Sequence, residues 1–102
     1  MGWADDAKRR LGNGDTVQIR PRGGSMVPLI RSGDLVTVAP ITEDDVLKKG
    51  DIVLVRVKGS DYLHLIKAVR PGQQYQIGNN RGGINGWARL AAVSGRVVKI
   101  GE

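Results

Sequence analysis

Little in this chain can do chemistry: it holds no cysteine and a single histidine. Thiolate reactions and disulfides are therefore not expected, and one imidazole does not make a zinc site. What remains is a hydroxyl. The stretch Gly23-Gly24-Ser25-Met26-Val27-Pro28-Leu29-Ile30, with Gly33-Asp34 beyond it, is built to present one. Two glycines let the backbone turn tightly ahead of Ser25 and Pro28 stiffens the chain after it, which is how a serine is exposed as a nucleophile. On those neighbours alone Ser25 would be read as a turn residue, as most serines in such company are.

The chain that must hold this serine in place is short. At 102 residues it buries one core and not two. Phe is absent and aromatics make up 4%, so Val, Ile and Leu must fill that core, and these side chains suit strands. With 15 glycines punctuating short apolar runs, the expected fold is mainly β, a small coiled sheet or partial barrel. The expected division is an N-terminal segment, 1–15, and a β domain, 16–102.

Trp3 to Leu11 has acids early and bases late, as a short helix prefers, or it is a frayed end. Asp15 to Arg20 alternates like a half-buried strand, and Leu35 to Ala39 is an apolar strand stopped by Pro40. Ile52 to Val57 and Tyr62 to Val69 flank a hairpin turn, followed by a short strand at Tyr75 to Ile77. A polar loop from Gly78 to Gly86, closed by Trp87, leads to the last strand, Val93 to Ile100. The result is a meander of six or seven strands.

Sixteen Lys and Arg against ten Asp and Glu give a net charge of +6. Nucleic acid is one partner such a charge suits, but the cations are scattered and few aromatics are available to stack on bases. No apolar run approaches a membrane span and no signal-peptide core opens the chain, so a soluble, cytoplasmic protein is expected.

In order, the Ser25 stretch with Gly33-Asp34, then Lys49-Gly50-Asp51 before its strand, Leu63-His64-Leu65-Ile66-Lys67, Gly78-Asn79-Asn80 and Ser94-Gly95-Arg96 resemble the boxes of the signal-peptidase and LexA-like serine peptidases. The resemblance runs from about Thr16 to Ile100. It implies that Ser25 is the nucleophile of a serine endopeptidase that needs no cofactor and acts on a protein or peptide. The base in such proteins is a lysine or a histidine, and both are present. His64-Leu65-Ile66 is similar to the His-Arg-Val of the histidine type, and Leu65-Ile66-Lys67-Ala68-Val69 to the Tyr-Ile-Lys-Arg-Val of the lysine type.

Side chains alternate along a strand, so His64 and Lys67, three apart, face opposite sides and only one reaches Ser25. His64 is the preferred base: neutral imidazole accepts a proton near pH 7, whereas Lys67 would first have to be held deprotonated by burial. The resemblance also implies an oxyanion donor at the Ser25 N–H and a substrate groove along Gly24, Met26 and Pro28, with a small residue before the cut. The hydroxyl donor found two residues ahead of the nucleophile in bacterial signal peptidases is Gly23 here. A carboxylate that could orient a histidine is replaced in Gly78-Asn79-Asn80, which leaves Asn79 or Asn80 to steady the base. Asp34 and Asp51 are expected to form turns. With no membrane anchor, and no Ala-Gly or Cys-Gly site upstream of Ser25, the expectation is a stand-alone peptidase that cuts another protein. The alternatives are a non-catalytic relative that only binds peptides or partners, and a basic nucleic-acid-binding β module.

Overall fold

The computed structural model describes residues 2–102. Seven strands form one antiparallel sheet: β1 (Val17–Ile19), β2 (Val36–Pro40), β3 (Ile52–Val57), β4 (Ser60–Arg70), β5 (Gln74–Gly78), β6 (Ile84–Arg89) and β7 (Val93–Ile100). A short helix, α1 (Asp5–Gly12), precedes them. The mainly β architecture expected from the Val, Ile and Leu runs is what forms. No helix among the described residues is long and apolar enough to cross a membrane.

The spatial order is β1-β2-β7-β3-β4-β5-β6, so the simple meander expected from the sequence is broken once. The last strand inserts between β2 and β3 and pairs with both. Physically, this removes two exposed strand edges that the long β2–β3 connection would otherwise leave open. Order along the chain carries no trace of it. A second difference is β6, which takes over the last three residues of what reads as a polar loop, Ile84 to Gly86, and runs on through Trp87 to Arg89. Asn and Gly disfavour strands in isolation, but at a sheet edge they are held by pairing with β5.

The β3–β4 hairpin turns on Lys58-Gly59, whose φ angles of 50° and 84° are those of the tight turn that matches strand twist. The two Gly-Asp turns share a device: Asp34 accepts from the Arg31 N–H at 2.8 Å, and Asp51 from the Lys48 N–H at 3.0 Å. Both carboxylates are thus engaged in turns, as expected, and neither bonds to Ser25. Trp87 lies under the Arg70 guanidinium, 3.9 Å from its ring centre.

Apolar side chains gather on both faces of the sheet. One cluster joins Ala4, Ala7 and Leu11 of the helix region to Val17, Val36, Val38, Leu54, Leu63 and Leu65, and includes Met26 and Ile30 from the serine segment. The other unites Val53, Val55, Val57, Ile66, Tyr75 and Ile77. α1 is therefore a packed element and not a frayed end. Lys8 fastens it to the start of β4 by an ion pair with Asp61 at 3.1 Å. Gly95 lets it approach: a Cβ there would lie 2.6 Å from Val38 Cγ1 and 3.0 Å from Leu11 Cδ1.

Candidate active site

The serine segment is held by its ends and by its main chain. Met26 and Ile30 are buried in the first cluster, the Gly33 N–H donates to the Pro21 carbonyl, and the Gly23 N–H donates to Ser32 Oγ. Gly23 takes a φ of 105°, which an L-residue rarely adopts, and so starts the turn that carries Ser25. The Asn80 N–H donates to the Ser25 carbonyl at 2.9 Å and its side-chain amide to the Val27 carbonyl at 3.0 Å. The serine segment is thereby tied to the loop that leaves β5.

β4 is paired differently along its length. β3 partners it from Ser60 to Leu65, whereas β5 partners it only from Leu65 to Arg70. On the β5 side, residues before Leu65 are thus left without a neighbouring strand, and this is the region that faces Ser25. His64 Nε2 lies 3.2 Å from Ser25 Oγ. Its other ring nitrogen, Nδ1, lies 2.7 Å from Asn85 Oδ1. An amide oxygen can only accept, so Nδ1 carries the proton and donates it there, leaving the Nε2 lone pair directed at the serine hydroxyl.

The ring is fixed from a third side by Tyr62, stacked on it with centroids 4.9 Å apart. His64 is only 8% exposed, and burial pushes its pKa below the ordinary 6.5, an effect the Asn85 hydrogen bond partly opposes. A buried, neutral imidazole is a competent proton acceptor at pH 7.

Lys67 sits at the irregularity in the β4–β5 ladder, the one residue without a β5 partner between Ile66 and Ala68. Its amine donates to the Asn79 carbonyl at 3.1 Å. Asn79 shapes the same loop, its Oδ1 accepting from the N–H groups of Arg81 and Gly83 at 2.8 Å each. The structure therefore brings Ser25 and His64 side by side, while Lys67, Asn79 and Asn80 meet the loop that backs the serine segment. Neither Asn79 nor Asn80 forms a hydrogen bond to His64; that contact belongs to Asn85.

Asn85 escaped the sequence reading because it sits in the Gly-rich run assigned to a loop. Its β6 position reaches His64 only because the sheet coils. Gly86, at a φ of 142°, brings β6 against the β3–β4 turn, where a Cβ would lie 3.2 Å from Val57 Cγ1 and 3.3 Å from Lys58 Cε. Asparagine flanked by glycines inside an otherwise strand-poor run was the available signal, but it does not specify a partner.

Ser25 and His64 open into a cavity of about 400 Å³, walled by residues from Arg20 to Gly23, by Met26, Ile30 and Arg31, by Asp61 to His64, and by Trp3. Gly24 and Pro28 are exposed and lie outside that lining, whereas Met26 forms part of its wall. No cluster of His, Cys, Asp or Glu able to hold a metal occurs among the described residues.

The fold is thus a mainly β, seven-stranded antiparallel sheet in which a serine and a histidine meet at an open cavity. The family model described as Peptidase S24-like matches residues 6–81, which begins inside α1 and takes in Ser25, His64, Lys67, Asn79 and Asn80. The chain belongs to this family. Asn85 lies just past the matched span. No curated protein matches the chain.

Proposed function

We propose that the protein is a serine endopeptidase in which Ser25 is the nucleophile and His64 the general base. The 3.2 Å approach of His64 Nε2 to Ser25 Oγ, with the ring's other nitrogen bonded to Asn85, carries this reading. As Ser25 Oγ attacks a peptide carbonyl carbon, its proton passes to His64 Nε2. The tetrahedral intermediate then expels the amine, which takes that proton from the imidazolium. Water attacks the resulting ester, gives a proton to Nε2, and the carboxylate product leaves as Ser25 recovers its proton.

The developing oxyanion requires donors. The Ser25 N–H is free to serve, since it donates to no protein acceptor among the described residues. Gly23 brings no hydroxyl, so the hole rests on main-chain donors. The unpaired β5-side edge of β4 before Leu65 suits a substrate laid down as an added strand, with main-chain bonds supplying affinity and the cavity supplying selection.

The test is cleavage of a peptide library by the native chain and by Ser25→Ala. Cleavage lost by roughly 10³-fold or more, with circular dichroism and thermal unfolding unchanged, is expected. Peptide binding with no cleavage by either chain would leave a non-catalytic peptide-binding relative.

A further inference from the structure

The cavity beside Ser25 has a charge imbalance for which the proton transfer has no use. Its lining includes the apolar residues Pro21, Met26, Ile30 and Leu63 and the rings of Trp3 and Tyr62. Arg20, Arg22 and Arg31 line it too, against one carboxylate, Asp61. That carboxylate is already engaged twice, by Lys8 Nζ at 3.1 Å and by Arg56 Nη1 at 3.4 Å. Arg20 donates to the Gly33 carbonyl and pairs with the exposed Glu102. Arg22 and Arg31 form no ion pair among the described residues. Asp34, the acid nearest Arg31 in sequence, accepts from that residue's backbone N–H.

Three occupants suit guanidinium groups: solvent, the phosphates of a nucleic acid, and carboxylates. A single-stranded nucleic acid calls for a basic track with successive aromatic faces. Here the arginines line one pocket of about 400 Å³, and Tyr62 is already stacked on His64. Such a volume accepts one or two side chains. Apolar and guanidinium side chains lining one cavity match a bulky apolar side chain next to an acidic one, because guanidinium binds carboxylate through two parallel hydrogen bonds.

We propose that the peptides taken by this site carry Asp or Glu beside a bulky apolar residue on the cavity side of the scissile bond, with Arg22 and Arg31 as the specificity-determining cations. The inference rests on the peptidase reading for the meaning of "scissile", but its binding half can be measured alone.

The experiment uses Ser25→Ala and three fluorescent peptides of one sequence, differing only in whether Glu, Gln or Lys flanks a leucine. Fluorescence anisotropy is expected to show the Glu peptide binding about tenfold tighter than the Gln peptide, and the Lys peptide weakest, from two partly exposed charge contacts acting together. The ratio should shrink at high salt. Adding Arg22→Gln and Arg31→Gln should remove the preference, and Arg22→Glu with Arg31→Glu should turn it toward Lys.

Equal binding of the three peptides, no binding of any, or a preference that survives both arginine changes overturns the proposal. So does a single-stranded oligonucleotide that binds through Arg22 and Arg31 more tightly than the Glu peptide, since this would assign the cavity to nucleic acid. Cleavage by the native chain is followed separately. A chain that cuts Glu and Gln peptides equally keeps the peptidase reading and loses this one; a chain that prefers Glu in binding but never cuts does the reverse.

Discussion

The two halves of β4 carry one candidate base each and treat them in opposite ways. Before Leu65 the strand has β3 on one side only, and His64 meets a side-chain hydroxyl there, with its second nitrogen bonded to Asn85. Beyond Leu65, β5 covers the other edge, and Lys67 meets a main-chain carbonyl at Asn79. The difference goes with what lies beside the strand: where β4 lacks a second neighbour the side chain faces the cavity, and where β5 runs alongside, the Lys67 amine binds the loop that leaves β5. A cation next to a paired edge ties loops together, whereas an imidazole next to an open one faces a cavity.

Paired substitutions test that contrast most severely. His64→Gln should lower peptide cleavage by roughly 10³-fold or more, because among the described residues no other side chain is hydrogen-bonded to Ser25 Oγ. Lys67→Met, which keeps the length of the side chain, should lower it by less than about tenfold, through looser placement of the Asn79–Asn80 loop, and should leave the pH profile in place. Single-turnover cleavage by the two variants decides the matter. Loss of activity in Lys67→Met with activity kept in His64→Gln would invert the comparison.

A smaller effect is expected at Asn85. Asn85→Ala should reduce kcat by roughly 10- to 100-fold with little change in KM, since the bond orients the base without touching substrate. The same hydrogen bond raises the His64 pKa, so its removal should move the acid limb of the pH–rate profile to lower pH. Asn85→Asp should move that limb upward, because a carboxylate favours the imidazolium. A purely structural role would lower activity in both variants and shift neither limb.

The smallest expected effect is on the native chain itself. Burial lowers the His64 pKa, so cleavage should rise with pH and level off after a midpoint below 6.5. Stability follows the same sign. Between the folded and unfolded pKa values the unfolded chain binds more protons, so this residue's contribution is full above about 6.5 and is lost as pH falls toward the folded value. Urea unfolding across that window, in native and His64→Gln chains, isolates the contribution.

Much of the framework was legible because it is local. Val17 to Ile19, Val36 to Pro40 and Ile52 to Val57 show themselves as short apolar runs between turn residues, and Lys58-Gly59 marks the hairpin between β3 and β4. β6 was not legible, since Asn85 and Gly86 disfavour a strand and are held in place by β5. The insertion of β7 between β2 and β3 was equally silent, because a strand's pattern records which residues are buried and not which neighbours bury them.

By itself the sequence determined the turn that exposes Ser25, the strand that carries two possible bases, and a supply of arginines, since all of these follow from backbone preference and side-chain chemistry over a few residues. Only the tertiary structure decided that the serine hydroxyl meets His64, that Asn85 and not Asn79 or Asn80 takes the imidazole's second nitrogen, and that Arg20, Arg22 and Arg31 line one cavity. Those meetings depend on the coiling of the sheet and on where β5 leaves β4. Both are set by packing between residues far apart in the chain, which no local pattern encodes.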